Sequence, residues 1–255
     1  MEIQPIYAVP ALKVNDSLVI ADLHIGIESH LMKKGFHITS RTKDMLDCII
    51  ESGKDCNRLI ILGDVKDSVP GSSKQEYKEI PDFFERLLEK FDIIDIVRGN
   101  HDTNIEEFLP SEVKVRPASG MTLDNIGYIH GHMWPSESVM GSKVLIMAHN
   151  HPAVMFKDGI GKQMTEPCWI RGNFIQNNEK FDPCPESFIV IPAFNRMLGG
   201  SPMNVFDEKF LGPMMNSGIL DLDNSHIYLL DGVDLGKRSN IMVKGKEYKD
   251  HETYK

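Results

Sequence analysis

Five short clusters of metal-binding residue types, each directly after a short apolar run, constrain this chain more than any other feature. They contain six of its ten histidines. In chain order the clusters are Asp22-Leu23-His24, Gly63-Asp64-Val65-Lys66-Asp67, Gly99-Asn100-His101-Asp102, His130-Gly131-His132 and His149-Asn150-His151. Carboxylate, imidazole and amide groups together suit Mn²⁺, Fe or Zn²⁺ better than Ca²⁺, which prefers oxygen ligands. The pattern predicts a two-metal hydrolytic site where five loops meet at one end of a β-sheet.

The apolar runs themselves are short and rich in β-branched residues, which is typical of buried strands. Two amphipathic helices are predicted between them, one around 45–50 with Thr39 or Ser40 as its cap, and one over 77–88. Alternation of strand and helix in the first half favours an α/β fold with parallel strands. The predicted strands are 18–21, 59–62, 93–97, 127–129, 144–148, 188–191 and 226–230.

Length and composition fit an ordinary globular protein of one large domain or two small ones, with 255 residues, 41% apolar and 25% charged. No apolar run approaches the ~20 residues of a membrane span, and the N-terminal residues lack a signal-peptide pattern. We therefore predict no membrane segment and a cytoplasmic location. The four cysteines show no close metal-ligand spacing, so free thiols are the simpler interpretation.

The net charge of −9 bears on the choice of partners. A protein that holds nucleic acid through its phosphates usually has surplus Lys and Arg on one surface. If nucleic acid is the substrate here, metals and a few local cations must supply the attraction. We predict one domain over residues 1–236 and a charged C-terminal tail over 237–255. A frayed or disordered tail is favoured over a basic arm that contacts a partner.

The order of the five clusters resembles that of the calcineurin-like metallophosphoesterase superfamily, with one departure at Ala148, where the superfamily motif has Gly. A narrower resemblance, to the SbcD-related, PdeM-type phosphoesterases, rests on 22–26, 63–66, 149–152 and 192–195, followed by Leu198-Gly199-Gly200. The resemblance implies a four-layer αββα sandwich with two central mixed β-sheets. It also implies a link to DNA repair and a Lhr-type helicase as a partner.

Carried over residue by residue, the resemblance implies a site with two divalent metal ions, Mn²⁺ favoured and Fe, Zn or Ni as alternatives. The ligands it implies are Asp22, His24 and His151 for one ion, Asn100, His130 and His149 for the other, and Asp64 for both. A hydroxide between the ions is then the nucleophile. His101 protonates the leaving group, and Asp67 hydrogen-bonds His101 and holds its tautomer. Asp102 supports the site without being a ligand.

Several residues outside the implied ligand set are candidates for other roles. Arg98 and Lys66 are candidate phosphate-binding cations because they lie within or beside the clusters, whereas Arg171 and Arg196 are interpreted as solvated surface charges. His132 either contacts substrate or is structural. The Pro- and Gly-containing segment 192–204 either closes the second sheet or walls a substrate groove.

Three functions compete. The favoured one is a phosphodiesterase or nuclease that acts on nucleic acid, with a phosphodiester, such as DNA, as substrate. The alternative is a phosphomonoesterase on a small phosphorylated substrate, since the same ligands serve both reactions in the superfamily. A non-catalytic binding module is disfavoured because Asp64, Asn100 and His101 are all present. The sequence leaves the native metal and the oligomeric state open.

Overall fold

Residues 2–206 and 209–244 are described by this computed structural model, and they form two mixed β-sheets. The first sheet has six strands in chain order: β1 (Ile3–Pro5), β2 (Leu12–Val14), β3 (Ser17–Ile20), β4 (Arg58–Ile61), β5 (Ile93–Val97) and β6 (Lys114–Arg116). Strands β1 to β3 pair antiparallel, and β3 to β6 pair parallel.

The second sheet contains the remaining strands: β7 (Met121–Leu123), β8 (Ile126–Ile129), β9 (Val144–Met147), β10 (Pro152–Lys157), β11 (Gln163–Asn173), β12 (Ser187–Val190), β13 (Ser201–Pro202), β14 (His226–Leu229) and β15 (Asp234–Lys237). The main order is β13-β10-β11-β12-β9-β8-β7, and β14 joins β11 to β15. Strands β8, β9 and β12 are parallel to one another, so their carboxyl ends lie at the same edge.

Five α-helices complete the described part of the chain: α1 (Ile27–Lys33), α2 (Thr42–Ser52), α3 (Lys74–Leu88), α4 (Glu137–Met140) and α5 (Gly212–Met215). Short 3₁₀ helices cover Ile105–Phe108 and Arg238–Asn240. The two predicted helices are confirmed as α2 and α3. The residue at the N-cap position of α2 is Arg41, whose side chain makes no capping hydrogen bond. Ser40, one of the two predicted caps, lies one residue earlier, and its hydroxyl accepts from the backbone N–H of Thr42, the first helical residue, at 3.3 Å and donates to Glu79 Oε2 at 2.8 Å.

Side-chain alternation along the strands produces the layers. On β3, Leu18 and Ile20 pack with α2 and α3, while Val19, and Ala21 directly after the strand, pack between the sheets. The inner face of the second sheet meets them with apolar residues such as Ile146. Its outer face packs against α4, α5 and neighbouring loops. The predicted four-layer αββα sandwich with two mixed sheets is therefore confirmed, with two four-residue helices in the outer layer on the second sheet.

All seven predicted strands are present, each end within one residue of its predicted position. The four cysteines are free, as expected. Among the described residues, no helix has the length and apolar content needed to cross a membrane. Part of the expected tail lies on the fold, because Lys237 ends β15 and Val243 bridges Val205. Residues 245–255 of that tail lie outside the described residues, and a single domain over 1–236 stays a prediction.

Packing of α3 on the first sheet gives a stability test. Phe84 is fully buried, whereas Tyr77 on the same helix is 60% exposed. We expect Phe84→Ala to lower the free energy of unfolding by about 3–5 kcal/mol through lost burial and a residual cavity. Tyr77→Ala should lower it by less than about 1 kcal/mol. Urea denaturation followed by circular dichroism measures both values, and equal losses would contradict this packing.

Candidate metal centre

Each of the five clusters begins one or two residues after a strand ends, at β3, β4, β5, β8 and β9. Five cluster residues then adopt the left-handed backbone conformation, with φ between 41° and 70°: Asp22, His24, Asp64, His149 and His151. Non-glycine residues rarely take this conformation, although Asp and His do so more often than most. Strained backbone of this kind concentrates at functional sites, where surrounding contacts hold it.

The first group of side chains consists of Asp22, His24 and His151, whose ligand atoms all lie within 4.8 Å of one another. Asp22 Oδ1 is 3.4 Å from His151 Nε2. Asp22 is fully buried, and neither of its carboxylate oxygens has a hydrogen-bond partner among the described residues. His24 Nε2 is likewise buried without a partner there. Because an unpaired buried carboxylate is costly, the group fits a bound cation.

The second group consists of Asp64, His130 and His149. His130 Nε2 lies 3.0 Å from His149 Nδ1 and 3.1 Å from Asn100 Oδ1, which adds a fourth ligand atom. His130 Nδ1 donates to the Leu62 carbonyl oxygen at 2.7 Å. That hydrogen bond places the proton on Nδ1, so the Nε2 lone pair faces the centre, as in metal-ligating histidines generally.

Asp64 joins the two groups. Its Oδ2 atom is 3.4 Å from His24 Nε2 in the first group and 3.4 Å from His130 Nε2 in the second. Ligand atoms about 2.1 Å from a shared ion lie roughly 3.0–3.4 Å apart in octahedral or tetrahedral geometry. The structure thus brings together all seven side chains expected as ligands, divided into the two groups expected, with Asp64 between them.

Protons compete with metal ions for this centre. Burial lowers the pKa of His24, but the carboxylates of Asp64, 3.4 Å from Nε2, and Asp67, which accepts from Nδ1, outweigh it together with the charge of Asp22 and raise that pKa to about 10. Burial also lowers the pKa of His130, but the Asp64 carboxylate outweighs it, and the pKa rises to about 9. In His149, burial and the positive charge of His130 lower the pKa to about 4. Metal binding must therefore displace protons from His24 and His130.

Asp102 fixes the relative position of the second and third clusters. Its carboxylate accepts hydrogen bonds from the backbone N–H groups of Asp64, Val65 and Gly99, each at 2.8 Å. The two loops approach so closely that a Cβ on Gly99 would lie 2.2 Å from Asp64 Oδ1. The expected supporting role of Asp102 matches these contacts, and Gly99 is required by the same approach.

Asp67 and His101 form the hydrogen bond that the resemblance implies. The Asp67 backbone carbonyl oxygen makes it, since His101 Nδ1 lies 2.6 Å from that oxygen. The carboxylate instead accepts from His24 Nδ1 at 3.1 Å. The physical reason is the pairing of the first two loops, in which His24 N donates to Asp64 O and Asp67 N donates to Ile25 O.

Lys66 and Arg98 do not extend into the centre as free cations. Lys66 is 1% exposed, and its ammonium donates to the carbonyl oxygens of Ser68 at 2.7 Å and Gly71 at 2.9 Å. Arg98 donates to the Asp102 carbonyl oxygen at 2.7 Å and pairs with Glu106. A phosphate-binding role for Lys66 and Arg98 stays a prediction, because these contacts engage only part of each cation's N–H donors. Both charges stabilise the loops that carry the clusters.

His132 and the 192–204 segment lie beside the centre. The His132 ring is 5.2 Å from that of His130, and its buried Nδ1 has no partner among the described residues. Burial and the positive charge of His130 lower the pKa of His132. Within the segment, Phe194 N donates to Ala21 O at 2.8 Å, and Asn195 Nδ2 donates to Leu23 O at 2.8 Å. The segment thus supports the first cluster.

Asn195 and Asn150 support the centre, although the sequence analysis predicts no role for either. Asn195 belongs to the 192–195 motif of the narrower resemblance, and its side chain is buried. Only the structure reveals its contact with the first cluster. Asn150, between His149 and His151, accepts from Leu211 N at 2.8 Å and donates to Leu211 O at 3.2 Å. The only signal for Asn150 in the sequence is its position between the two histidines of a ligand motif.

Comparisons with known proteins give a consistent picture. Residues 17–184 match the family model of the calcineurin-like phosphoesterases. The fold is similar to that of Pseudomonas putida nuclease MPE, with a TM-score of 0.51 and 20% identity, covering 90% of this chain and 96% of that one.

Two further solved structures give lower scores. YfcE, a phosphoesterase from E. coli, has a TM-score of 0.36 and 20% identity over 56% of this chain and 74% of that one. A single mutant of Vps29 from Entamoeba histolytica has a TM-score of 0.33 and 14% identity over 73% and 80%. No curated protein matches this sequence.

The shared position of Asp64 predicts how metal binding responds to substitution. Asp64→Asn should weaken both metal sites, whereas Asp22→Asn should weaken one. The ligand atoms grouped with Asp22 are those of His24 and His151, and the atom of His130 nearest to Asp22 is Nδ1, at 3.7 Å, which donates to Leu62 O. Isothermal titration calorimetry with Mn²⁺ should show two ions in the wild type and one tight ion in Asp22→Asn. Retention of two tight ions in Asp64→Asn would contradict a shared carboxylate.

Proton displacement predicts a steep pH dependence of metal affinity. Below a pKa of about 9 to 10, His24 and His130 hold protons in the metal-free protein, and binding must release them. The apparent Mn²⁺ affinity should therefore rise about ten- to hundredfold per pH unit between about pH 7 and pH 8.5. Calorimetry in buffers of different ionisation enthalpy counts the released protons. An affinity that is constant over this range would exclude this competition.

Proposed function

Because the chain belongs to the calcineurin-like phosphoesterase family, we propose that it hydrolyses phosphodiesters of nucleic acid with two divalent metal ions, Mn²⁺ favoured. The observation that carries the proposal is the position of Asp64 Oδ2, 3.4 Å from one imidazole nitrogen of each ligand group. When bound, two metal ions polarise the phosphoryl oxygens and make a water molecule nucleophilic near neutral pH. The chain's own residues then account for positioning and proton transfer.

His101 is the residue we propose as the general acid. Its backbone N–H donates to Asp64 Oδ1 at 2.9 Å, and its ring lies 4.7 Å from that of His24. Because Nδ1 donates to the Asp67 carbonyl oxygen, Nε2 on the other side of the ring is the nitrogen that can deliver a proton to the leaving oxygen.

Asp67 has a positioning role in this proposal. Its carboxylate accepts from His24 Nδ1, which leaves Nε2 as the His24 atom that faces the ligand groups, 3.4 Å from Asp64 Oδ2. Its carbonyl oxygen orients His101 at the same time. One residue thereby fixes a proposed ligand and the proposed acid, an arrangement that carboxylate–histidine pairs provide at many metal sites.

The preference for a diester is supported by the cations near the centre. A phosphomonoester carries a second negative charge, and cations that bind it directly would favour it. Lys66 and Arg98 are instead engaged by carbonyl oxygens and Glu106. A singly charged diester needs less of this compensation. The phosphomonoesterase alternative uses the same ligands and is separated by the substrate comparison below.

The nucleic-acid part of the proposal draws on the fold shared with nuclease MPE and on the resemblance to the SbcD-related proteins. With a net charge of −9, the chain has little general attraction for a polyanion. Delivery to DNA by a partner would compensate, and a Lhr-type helicase in the cytoplasm is the partner we propose. The proposed setting is DNA repair.

Removal of the proposed acid should affect substrates unequally. His101→Ala should lower kcat by about 10²–10⁴-fold on an oligonucleotide, whose alkoxide leaving group needs a proton. The loss on bis-p-nitrophenyl phosphate should be much smaller, because p-nitrophenolate leaves without one. Mn²⁺ stoichiometry measured in parallel should be unchanged. Equal losses on both substrates with both metal ions retained would remove His101 from the acid role.

The choice of ester is tested directly with two chromogenic substrates. We expect Mn²⁺-stimulated hydrolysis of bis-p-nitrophenyl phosphate to be faster than that of p-nitrophenyl phosphate, and both to vanish in Asp64→Asn. Faster monoester hydrolysis would favour the phosphomonoesterase alternative. Absence of hydrolysis of either substrate would favour a binding module.

A further inference from the structure

A small cavity opens directly beside the proposed metal centre. It has a volume of about 150 Å³, and His151 of the first ligand group forms part of its wall. Much of the remaining wall is small or apolar, including Ala153, Ala193 and Gly199. The cavity therefore adjoins the first ligand group at His151.

A larger groove of about 570 Å³ adjoins this cavity. Asn195 and Arg196 line both spaces, so the two spaces adjoin at these residues. The groove lies between α2, the 8–10 loop and the 194–197 segment. Arg41 and Asp44, which pair with each other at 2.9 Å, also line it, and the apolar part of its wall is Val9, Pro10, Ile38, Met45, Phe194 and Met197. Its size is within the range of about 300–1,000 Å³ found for small-molecule sites.

Arg196 stands at the boundary between the two spaces. It is exposed, and its Nη2 donates to the Ala8 carbonyl oxygen at 2.7 Å, which fixes the guanidinium there. Among the described residues lining the smaller cavity, Arg196 is the one cation. A guanidinium has five N–H donors, so the bond to Ala8 leaves others that can bind a phosphate oxygen.

We propose that this groove binds the nucleoside attached to the scissile phosphate, and that Arg196 positions that phosphate. The proposal deepens the proposed function and rests on it. A phosphate alone would gain nothing from the apolar wall, whereas a flat, weakly polar base attached to a phosphate matches both the wall and the cation. The expectation that Arg196 is only a solvated surface charge is replaced by a positioning role.

Cys48 provides a probe because it lines the groove and is partly exposed. Cys184 has similar partial exposure but does not line either space, and Cys56 and Cys168 are buried. In the Cys184→Ser protein, N-ethylmaleimide alkylates Cys48 and places a bulky group in the groove. In the Cys48→Ser protein treated identically, the same group is attached to Cys184, and this protein is the matched control.

Two diesters with the same leaving group distinguish the binding contribution of the nucleoside from that of the phosphate. They are thymidine 5′-(p-nitrophenyl phosphate) and methyl p-nitrophenyl phosphate. Alkylation at Cys48 should raise KM about tenfold for the thymidine ester and less than about twofold for the methyl ester, with kcat unchanged. Alkylation at Cys184 should change neither. Equal effects on both esters, or none, would overturn the groove assignment.

Arg196 is tested in the same assay. Arg196→Gln should raise KM for both esters about tenfold, because the phosphate is common to them, with kcat within about threefold. Arg171→Gln is the matched control, since Arg171 is an exposed arginine that lines a different cavity, beside β11 and β14. Unchanged KM in Arg196→Gln would overturn its positioning role.

A binding readout distinguishes failure of this inference from failure of the proposed function. Thymidine 5′-monophosphate should slow alkylation of Cys48 in the Mn²⁺-loaded protein and leave the rate at Cys184 unchanged. If the wild type hydrolyses both esters but shows no protection and no selective loss, the groove assignment is wrong and the phosphodiesterase stands. If it hydrolyses neither ester, the proposed function fails. Protection of Cys48 by thymidine 5′-monophosphate then decides by itself whether the groove binds a nucleotide.

Discussion

Burial of two carboxylates, Asp22 and Asp64, is the constraint on which the rest of this structure depends. Asp22 is 0% exposed and Asp64 2%, and a buried negative charge is stable only beside compensating positive charge. Protons on His24 and His130 supply that charge in the metal-free centre, and two cations would supply it in the loaded one. The loops must therefore converge closely enough for each carboxylate to meet an imidazole from another loop.

Convergence of this kind requires both a rigid frame and unusual backbone. Two sheets packed face to face bring the carboxyl ends of β3, β4, β8 and β9 to one end of the sandwich. Left-handed turns then direct the side chains inward. Supporting contacts hold the turns, including Glu76 of α3, which accepts from the backbone N–H groups of Asp67 at 3.0 Å and Ser68 at 2.7 Å. The strain is thus distributed over contacts outside the centre.

Much of this could be predicted from the sequence because the decisive signals are local. Strand ends follow from apolar runs, and the cluster order identified all seven proposed ligands. Directions of long side chains could not be predicted, because Lys66 and Arg98 select among partners that only the folded loops supply. The Asp67–His24 pair depends on the register between two loops. The Asn195 contact to Leu23 spans 172 residues, and no local pattern indicates it.

The account's central claim is that Asp64 holds two metal ions in one centre. Electron paramagnetic resonance of the protein loaded with two equivalents of Mn²⁺ tests it most directly, because ions about 3.5–4 Å apart that share a ligand are exchange-coupled. We predict the multiline spectrum of a coupled Mn²⁺ pair, replaced in Asp64→Asn by the six-line spectrum of isolated ions. Isolated-ion spectra from the fully loaded wild type would contradict the claim.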